Sequence, residues 1–221
     1  MTASIRAISW IFVVLLAIAD PAAAQSSPPQ PRFDSAVSAG LIEARPGDVD
    51  QPYYDNWYAQ GRYAGSIGYY LTKNLKAEFE HAWSGEGSRY LLEYTQISGL
   101  PYPYQVEQYF QLQQSTLRIV WQFRDNAWVH PYLSAGYVLD TERQRVHLPV
   151  TFQPGPRGER VLVQNERDLD ERTELRGGVS IAGGAKIYVS PRAFINTGTV
   201  ITYSKPGTGT VNLIAGFGMD F

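Results

Sequence analysis

Apolar residues keep to odd-numbered positions through one segment after another of this chain, and a parity held that long leaves few folds open. Trp57, Ala59, Tyr63, Ile67, Tyr69 and Leu71 alternate with Gln60, Arg62, Ser66 and Thr72. Leu75, Ala77, Phe79, His81 and Trp83 oppose Lys76, Glu78, Glu80 and Ser84 in the same way. The pattern returns at Leu117, Ile119, Trp121 and Phe123 against Thr116, Arg118 and Gln122, and at Leu133, Ala135, Tyr137 and Leu139. Leu175, Val179, Ile181 and Ile187 then face away from Glu174, Arg176, Ser180 and Lys186, and the chain ends on Leu213, Ala215, Phe217, Met219 and Phe221. A period of two is the signature of a β-strand with chemically distinct faces. Two architectures can use it: a soluble barrel with its apolar face inside, or a membrane barrel with that face outside.

Three observations favour the second. Aromatic residues gather near the ends of the apolar faces, with Trp57, Trp83 and Tyr203 towards one rim and Tyr69, Trp121, Phe123 and Phe221 towards the other. Paired aromatic belts are the expected dress of a wall that crosses a bilayer. Arg6 is followed by the apolar run Ile8 to Ala19 and by Ala22, Ala23 and Ala24, which reads as an export signal over residues 1–24. The mature chain is then expected to begin at Gln25, with a Ser/Pro-rich lead-in over 25–32 and a single barrel domain over 33–221. No later segment offers the run of about eighteen apolar residues that a spanning helix needs, so strands must carry any membrane crossing.

Connections alternate in length: they are short after Thr72, Phe123 and Val189 and longer between, the longest running from Arg145 to Arg172. Short periplasmic turns, longer extracellular loops and an even number of strands belong together. Eight strands meet those conditions if Phe33 to Ala44, whose own alternation is weak, is counted as the first. The expectation is therefore an all-β, eight-stranded antiparallel up-and-down transmembrane β-barrel.

Charges on the even face must then point inward, because Arg or Lys facing mid-bilayer costs roughly 2–4 kcal/mol. Arg62, Lys76, Glu78, Glu80, Arg118, Glu174, Arg176 and Lys186 are expected to fill the lumen as an ion-pair network. Pairing of Arg118 or Arg176 with Glu78 or Glu80 would close it, and a narrow ion path gated by those pairs is the alternative reading. No cofactor is expected, and with no cysteine there is neither a disulfide nor a thiolate nucleophile. A net charge of −2 does not point to nucleic acid.

The segment Gln164 to Arg172 interleaves acids with arginines, making Arg160, Arg167, Asp168, Asp170, Glu171 and Arg172 candidates for surface contact. The acids would be oxygen ligands for a cation and the arginines phosphate binders. Gly99 to Tyr104 (GLPYPY) reads as a rigid aromatic loop. Of the three histidines, His81 lies three residues from Ser84 and hence on the opposite face of a strand, which separates the nearest nucleophile and base. His130 shares a face with Ser134 but sits beside Pro131 at a strand end. A lipid A-modifying hydrolase is therefore the weaker alternative, and the chain is read as a non-enzyme.

The export signal, the repeated strand-turn pattern, the segment Gly68 to Lys76 (GYYLTKNLK) and the terminal Phe217, Met219 and Phe221 resemble the small bacterial outer-membrane β-barrels, the group of the OmpA transmembrane domain and its single-domain relatives. The resemblance implies insertion by the barrel-assembly machinery, which reads the final strand, and residence as a monomer in the outer membrane. It also implies contact with outer-membrane lipid and lipopolysaccharide, and a structural or surface-binding role through loops that meet an extracellular ligand.

Overall fold

The computed structural model describes residues 32–45, 58–97, 99–123, 128–169, 171–205 and 207–221. The expected export signal, nearly all of the expected lead-in, Trp57 and Asp170 lie outside the described residues. Twelve strands form in chain order: β1 (Phe33–Arg45), β2 (Tyr58–Tyr70), β3 (Leu75–Ser84), β4 (Gly87–Ile97), β5 (Leu100–Gln122), β6 (Val129–Leu148), β7 (Thr151–Pro154), β8 (Arg160–Gln164), β9 (Arg167–Asp168), β10 (Arg172–Tyr188), β11 (Ala193–Ser204) and β12 (Thr208–Asp220). Eight of them, β1, β2, β3, β5, β6, β10, β11 and β12, pair with their neighbours in a ring, while β4, β7, β8 and β9 extend it at the loop end.

The weak first strand is real, and pairing rather than alternation fixes it. β1 runs antiparallel to β2 on one side and to β12 on the other, from Asp34↔Asp220 to Arg45↔Gly209. Phe33 and Phe221 exchange N–H···O=C bonds of 2.9 Å in both directions, and their rings stack with centroids 6.2 Å apart. The last residue of the sequence is thus hydrogen-bonded to the first residue of the ring. Closure leaves no free sheet edge along this seam.

Two of the short turns are built alike. Thr72 Oγ1 accepts from the backbone N–H of Asn74 (3.3 Å) and Leu75 (3.1 Å), and Ser190 Oγ accepts from those of Arg192 (3.5 Å) and Ala193 (3.0 Å). A hydroxyl that substitutes for a ladder acceptor explains why Ser and Thr occupy these positions.

The parity expected from the sequence is the parity of the wall. Val37, Leu41, Tyr63, Ile67, Phe79, Leu117, Tyr137, Leu175, Val179 and Phe217 are exposed on the outside, whereas Arg62, Lys76, Glu78, Arg118, Ser180 and Asn212 are buried inside. A soluble ligand-binding barrel would show the reverse. An exposed apolar surface of this extent is a mark of contact with lipid or another apolar partner.

Between β3 and β4 parity breaks. The register passes from Trp83↔Gln113 to Gly87↔Phe110, so three residues, Ser84, Gly85 and Glu86, oppose two, Gln111 and Leu112. This is a β-bulge. Ser84 Oγ takes the N–H of Leu112 at 2.8 Å in place of a ladder carbonyl. Beyond the bulge the exposed positions of β4 are even: Tyr90, Leu92 and Tyr94.

Two loop expectations need correcting. Gly99 to Tyr104 is no loop: Gly99 makes the turn with φ 78° and Leu100–Tyr104 is the start of β5, paired with β4 through Ile97↔Leu100 and Glu93↔Tyr104. Pro101 and Pro103 are tolerated because β5 meets β6 only from Glu107 onward, leaving this stretch with a ladder on one side. Much of the expected loop from Val146 to Glu171 is also strand. β6 continues to Leu148, β7 and β8 form a hairpin, and β9 returns along β6.

Candidate functional site

The lumen is where the sequence concentrates its unusual chemistry. Near the short turns, Lys186 Nζ donates to Asp220 Oδ1 (2.6 Å), Asp34 Oδ2 (3.1 Å) and Tyr70 Oη (2.6 Å), and lies 3.7 Å from the centre of the Phe194 ring. Tyr188 donates to Asp220 Oδ2 at 2.5 Å. Lys76 Nζ bridges Asp34 Oδ2 (2.7 Å) and Glu78 Oε2 (2.5 Å). Gly68 makes room for that bridge, since a Cβ there would stand 2.2 Å from Asp34 Oδ1 and 2.5 Å from Lys76 Cδ. Arg118 then joins Glu78 (Nε–Oε1, 2.8 Å) to Glu80 (Nη2–Oε2, 2.5 Å), and Glu80 binds Arg62.

These contacts make one alternating chain: Asp220, Lys186, Asp34, Lys76, Glu78, Arg118, Glu80, Arg62. Four carboxylates and four cations alternate along it, so its formal charge is zero. Each is nearly fully buried. Burying one such charge unpaired is costly, and each interior member of the chain meets two of opposite sign.

Asp34 and Asp220 were missing from the sequence-based network although both occupy even positions. Asp34 opens the strand with the weakest alternation, and Asp220 sits beside the terminal aromatic that draws the eye to the outer face. Parity alone would have found both.

Arg118 lies against Glu78 and Glu80 as expected, but Arg176 does not reach either. Arg118 shares a hydrogen-bonded row with Gly136 and Ser180, and Arg176 lies four residues further along β10 towards the loop end. There it pairs with Glu174 and lies 3.5 Å from Glu142 Oε2, while Nη1 donates to Thr208 Oγ1 at 3.2 Å. Glu174 also takes Arg172. Asp140, one inward position from Glu142, is held by Ser204 and by Gln114 Nε2 (3.0 Å).

Apolar side chains cluster towards the loop end of the lumen. Tyr58 and Phe110 rings lie 5.3 Å apart among buried Ile42, Ala44 and Leu112, and Gln60 Nε2 caps the Phe110 carbonyl at 3.1 Å. Towards the turn end, Tyr132 fills the space opened by Gly184 and Gly198, where an added Cβ would come within 2.6 and 2.7 Å of its hydroxyl. A void of about 20 Å³ lies beside Asp34, Lys76, Glu78, Arg118, Tyr132 and Lys186, about the room one water needs.

The candidate surface residues are dispersed rather than gathered. Asp168 Oδ1 meets His147 Nδ1 at 2.7 Å, Glu171 is bonded to Arg143 through both nitrogens of the guanidinium fork, and Arg160 lies 4.7 Å from the Phe152 ring centre. Arg167, in the short β9, is exposed opposite Leu148. Among the described residues no three acidic or histidine side chains come together to hold a metal ion. The Arg143 guanidinium beside Glu171 holds its carboxyl below the ordinary glutamate value.

Parity separates His81 from Ser84 but places it against a different serine. His81 Nδ1 lies 2.8 Å from Ser115 Oγ on the outer wall, with the ring edge-on to Trp83. Its ladder neighbours are Gly65 and Ser115, and Phe79 and Trp83 flank it along the strand; none of these four is a carboxylate that could orient the ring as a base.

A closed meander, apolar outside and ion-paired within, defines the class: this is the fold of the small outer-membrane β-barrels. No family model and no curated protein matches the sequence. Among solved structures, the chain is similar to Neisserial surface protein A, at 15% identity over 86% of this chain and 97% of that one, with a TM-score of 0.54. It is also similar to the outer membrane protein OprG from Pseudomonas aeruginosa, at 11% identity over 87% of this chain and 97% of that one, with a TM-score of 0.50. At such identities the likeness is one of fold.

Proposed function

We propose that this chain is an integral outer-membrane protein whose barrel is a closed, non-conducting anchor and whose loop-end strands work at the cell surface. The observation that carries the reading is the pairing of two opposite faces in one wall. The outside is apolar along the turn-side part of its height, and the inside holds an alternating ion-pair chain at one end and an apolar cluster at the other. A wall of that kind is stable with lipid outside and without water flow inside.

Export through residues 1–24, insertion guided by the β12 residues Phe217, Met219 and Phe221, and residence as a monomer complete the proposal. The surface element best suited to meet a partner is the β4–β5 hairpin, whose outer face carries Tyr90, Leu92 and Tyr94, each more than 60% exposed. Its aromatic and aliphatic groups suit a protein partner better than a free ion.

Fractionation tests the membrane assignment. The protein should stay with outer membranes through a carbonate wash and, once extracted, should run compact on a gel unless boiled. Release into the periplasmic fraction without detergent would refute it.

A further inference from the structure

Ring closure removes the sheet edges of the wall but leaves one open beyond the bulge. β3 climbs from its short turn to the loop end, and β4 continues it away from the membrane, paired with β5 along its whole length. Among the described residues β4 pairs with no strand on its other side, where it ends the sheet. Sheet edges are usually blunted by proline, lysine or shortness. β5 follows that rule over its first residues, with Pro101 and Pro103, and Gln153 Nε2 covers the Pro103 carbonyl at 3.4 Å. β4 does not: it is 11 residues long and holds neither proline nor lysine.

The charges of β4 narrow the occupant. They are Arg89 and Glu93, opposite in sign, placed symmetrically about Leu91 and sharing the half-buried face. Each is oriented by a β5 neighbour: Arg89 donates to Gln108 Oε1 through Nε (2.9 Å) and Nη2 (2.8 Å), and Glu93 accepts from Tyr104 Oη at 2.6 Å. A strand arranged in this way is complementary to itself. Antiparallel pairing of two copies about Leu91 sets Arg89 of each opposite Glu93 of the other. On the exposed face it sets Tyr90 of each opposite Leu92 of the other, an aromatic–aliphatic pair. Any other register separates both ion pairs.

We propose that the open edge of β4 binds the same edge of a second copy of this chain, joining the two into one antiparallel sheet centred on Leu91. β4 runs away from its own membrane, so an antiparallel partner runs towards it, and the second copy belongs to a facing membrane. Each copy remains a monomer in its own bilayer. Main-chain hydrogen bonds along the edge supply affinity, and the Arg89–Glu93 pairs fix the register. This pairing deepens the surface role given above to the β4–β5 hairpin and rests on the membrane orientation proposed there.

The test reconstitutes the full protein in phospholipid vesicles and follows their clustering by turbidity. Wild-type vesicles should cluster. Arg89→Glu and Glu93→Arg each set like charges opposite one another at both ends of the seam, and each alone should slow clustering roughly tenfold. Mixing the two kinds of vesicle puts opposite charges back at both positions and should restore clustering. The chain has no cysteine, so Leu91→Cys, which meets its own counterpart, should form a disulfide between copies under mild oxidation, whereas Thr95→Cys, set opposite Gly87, should not. Single variants that cluster like wild type would overturn the pairing, as would a mixture that fails to cluster or wild-type vesicles that stay apart. All four substitutions lie on a strand outside the ring, so compact migration of the unboiled variants should match wild type. A wild-type chain that never enters the vesicles would refute the membrane reading itself, and this pairing with it.

Discussion

The two halves of the lumen solve the same filling problem differently. In the turn-side half, charge is abundant and balanced, and each interior member of the alternating series touches two partners of opposite sign. In the loop-side half, Glu142 and Glu174 share Arg176, Asp140 relies on neutral donors, and Tyr58, Phe110 and Leu112 occupy the remaining space. The difference teaches that a narrow barrel can bury charge in quantity only where geometry lets signs alternate. Where they cannot alternate, hydroxyls, amides and apolar groups take over.

The turn-side half should be the more brittle. Arg118→Met strips one partner from each of two buried carboxylates and is expected to cost about 4 kcal/mol. The urea midpoint for loss of the compact, heat-modifiable form would report it. Adding Glu78→Gln should recover part of the loss, because Glu78 then no longer needs a cation. A double variant no more stable than Arg118→Met would break the view of the chain as one coupled unit.

The loop-side half should respond to volume. Phe110→Ala removes the largest fully buried apolar side chain of that cluster and should cost about 3 kcal/mol by the same measurement. A negligible effect would show that this end is hydrated and that the contrast between the halves is false.

The smallest effect is expected outside the barrel, at the exposed Arg143–Glu171 pair. With its carboxyl lowered in the folded protein, the pair contributes above the pH where a free glutamate titrates, and that contribution fades as pH falls through the lowered value. Glu171 should therefore titrate below an ordinary glutamate by NMR, and Arg143→Ala should move it back up, with no measurable change in unfolding. A Glu171 midpoint unchanged by Arg143→Ala would remove this pair from the account.

Much of the barrel was legible because one rule, parity, governs every ring strand. That rule put Arg62, Glu78, Glu80 and Arg118 inside and split His81 from Ser84. What parity cannot give is height along the barrel, since that depends on the register between strands distant in sequence. Arg176 was assigned the wrong carboxylates for this reason, and the level of Ser115 beside His81 went unseen. The bulge at Ser84, Gly85 and Glu86 was also hidden, because one added residue leaves no mark except a reversal of parity in a segment read as loop. Gly99 to Tyr104 was misread because prolines argue against a strand unless one of its sides is unpaired.

The central claim is that the lumen is shut by its own side chains. Single-channel recording in planar bilayers tests it most directly. The wild-type protein, verified as compact and inserted, should give no current steps above background. Stable, reproducible openings that vanish on boiling would contradict the account and make the ion-pair chain a gate.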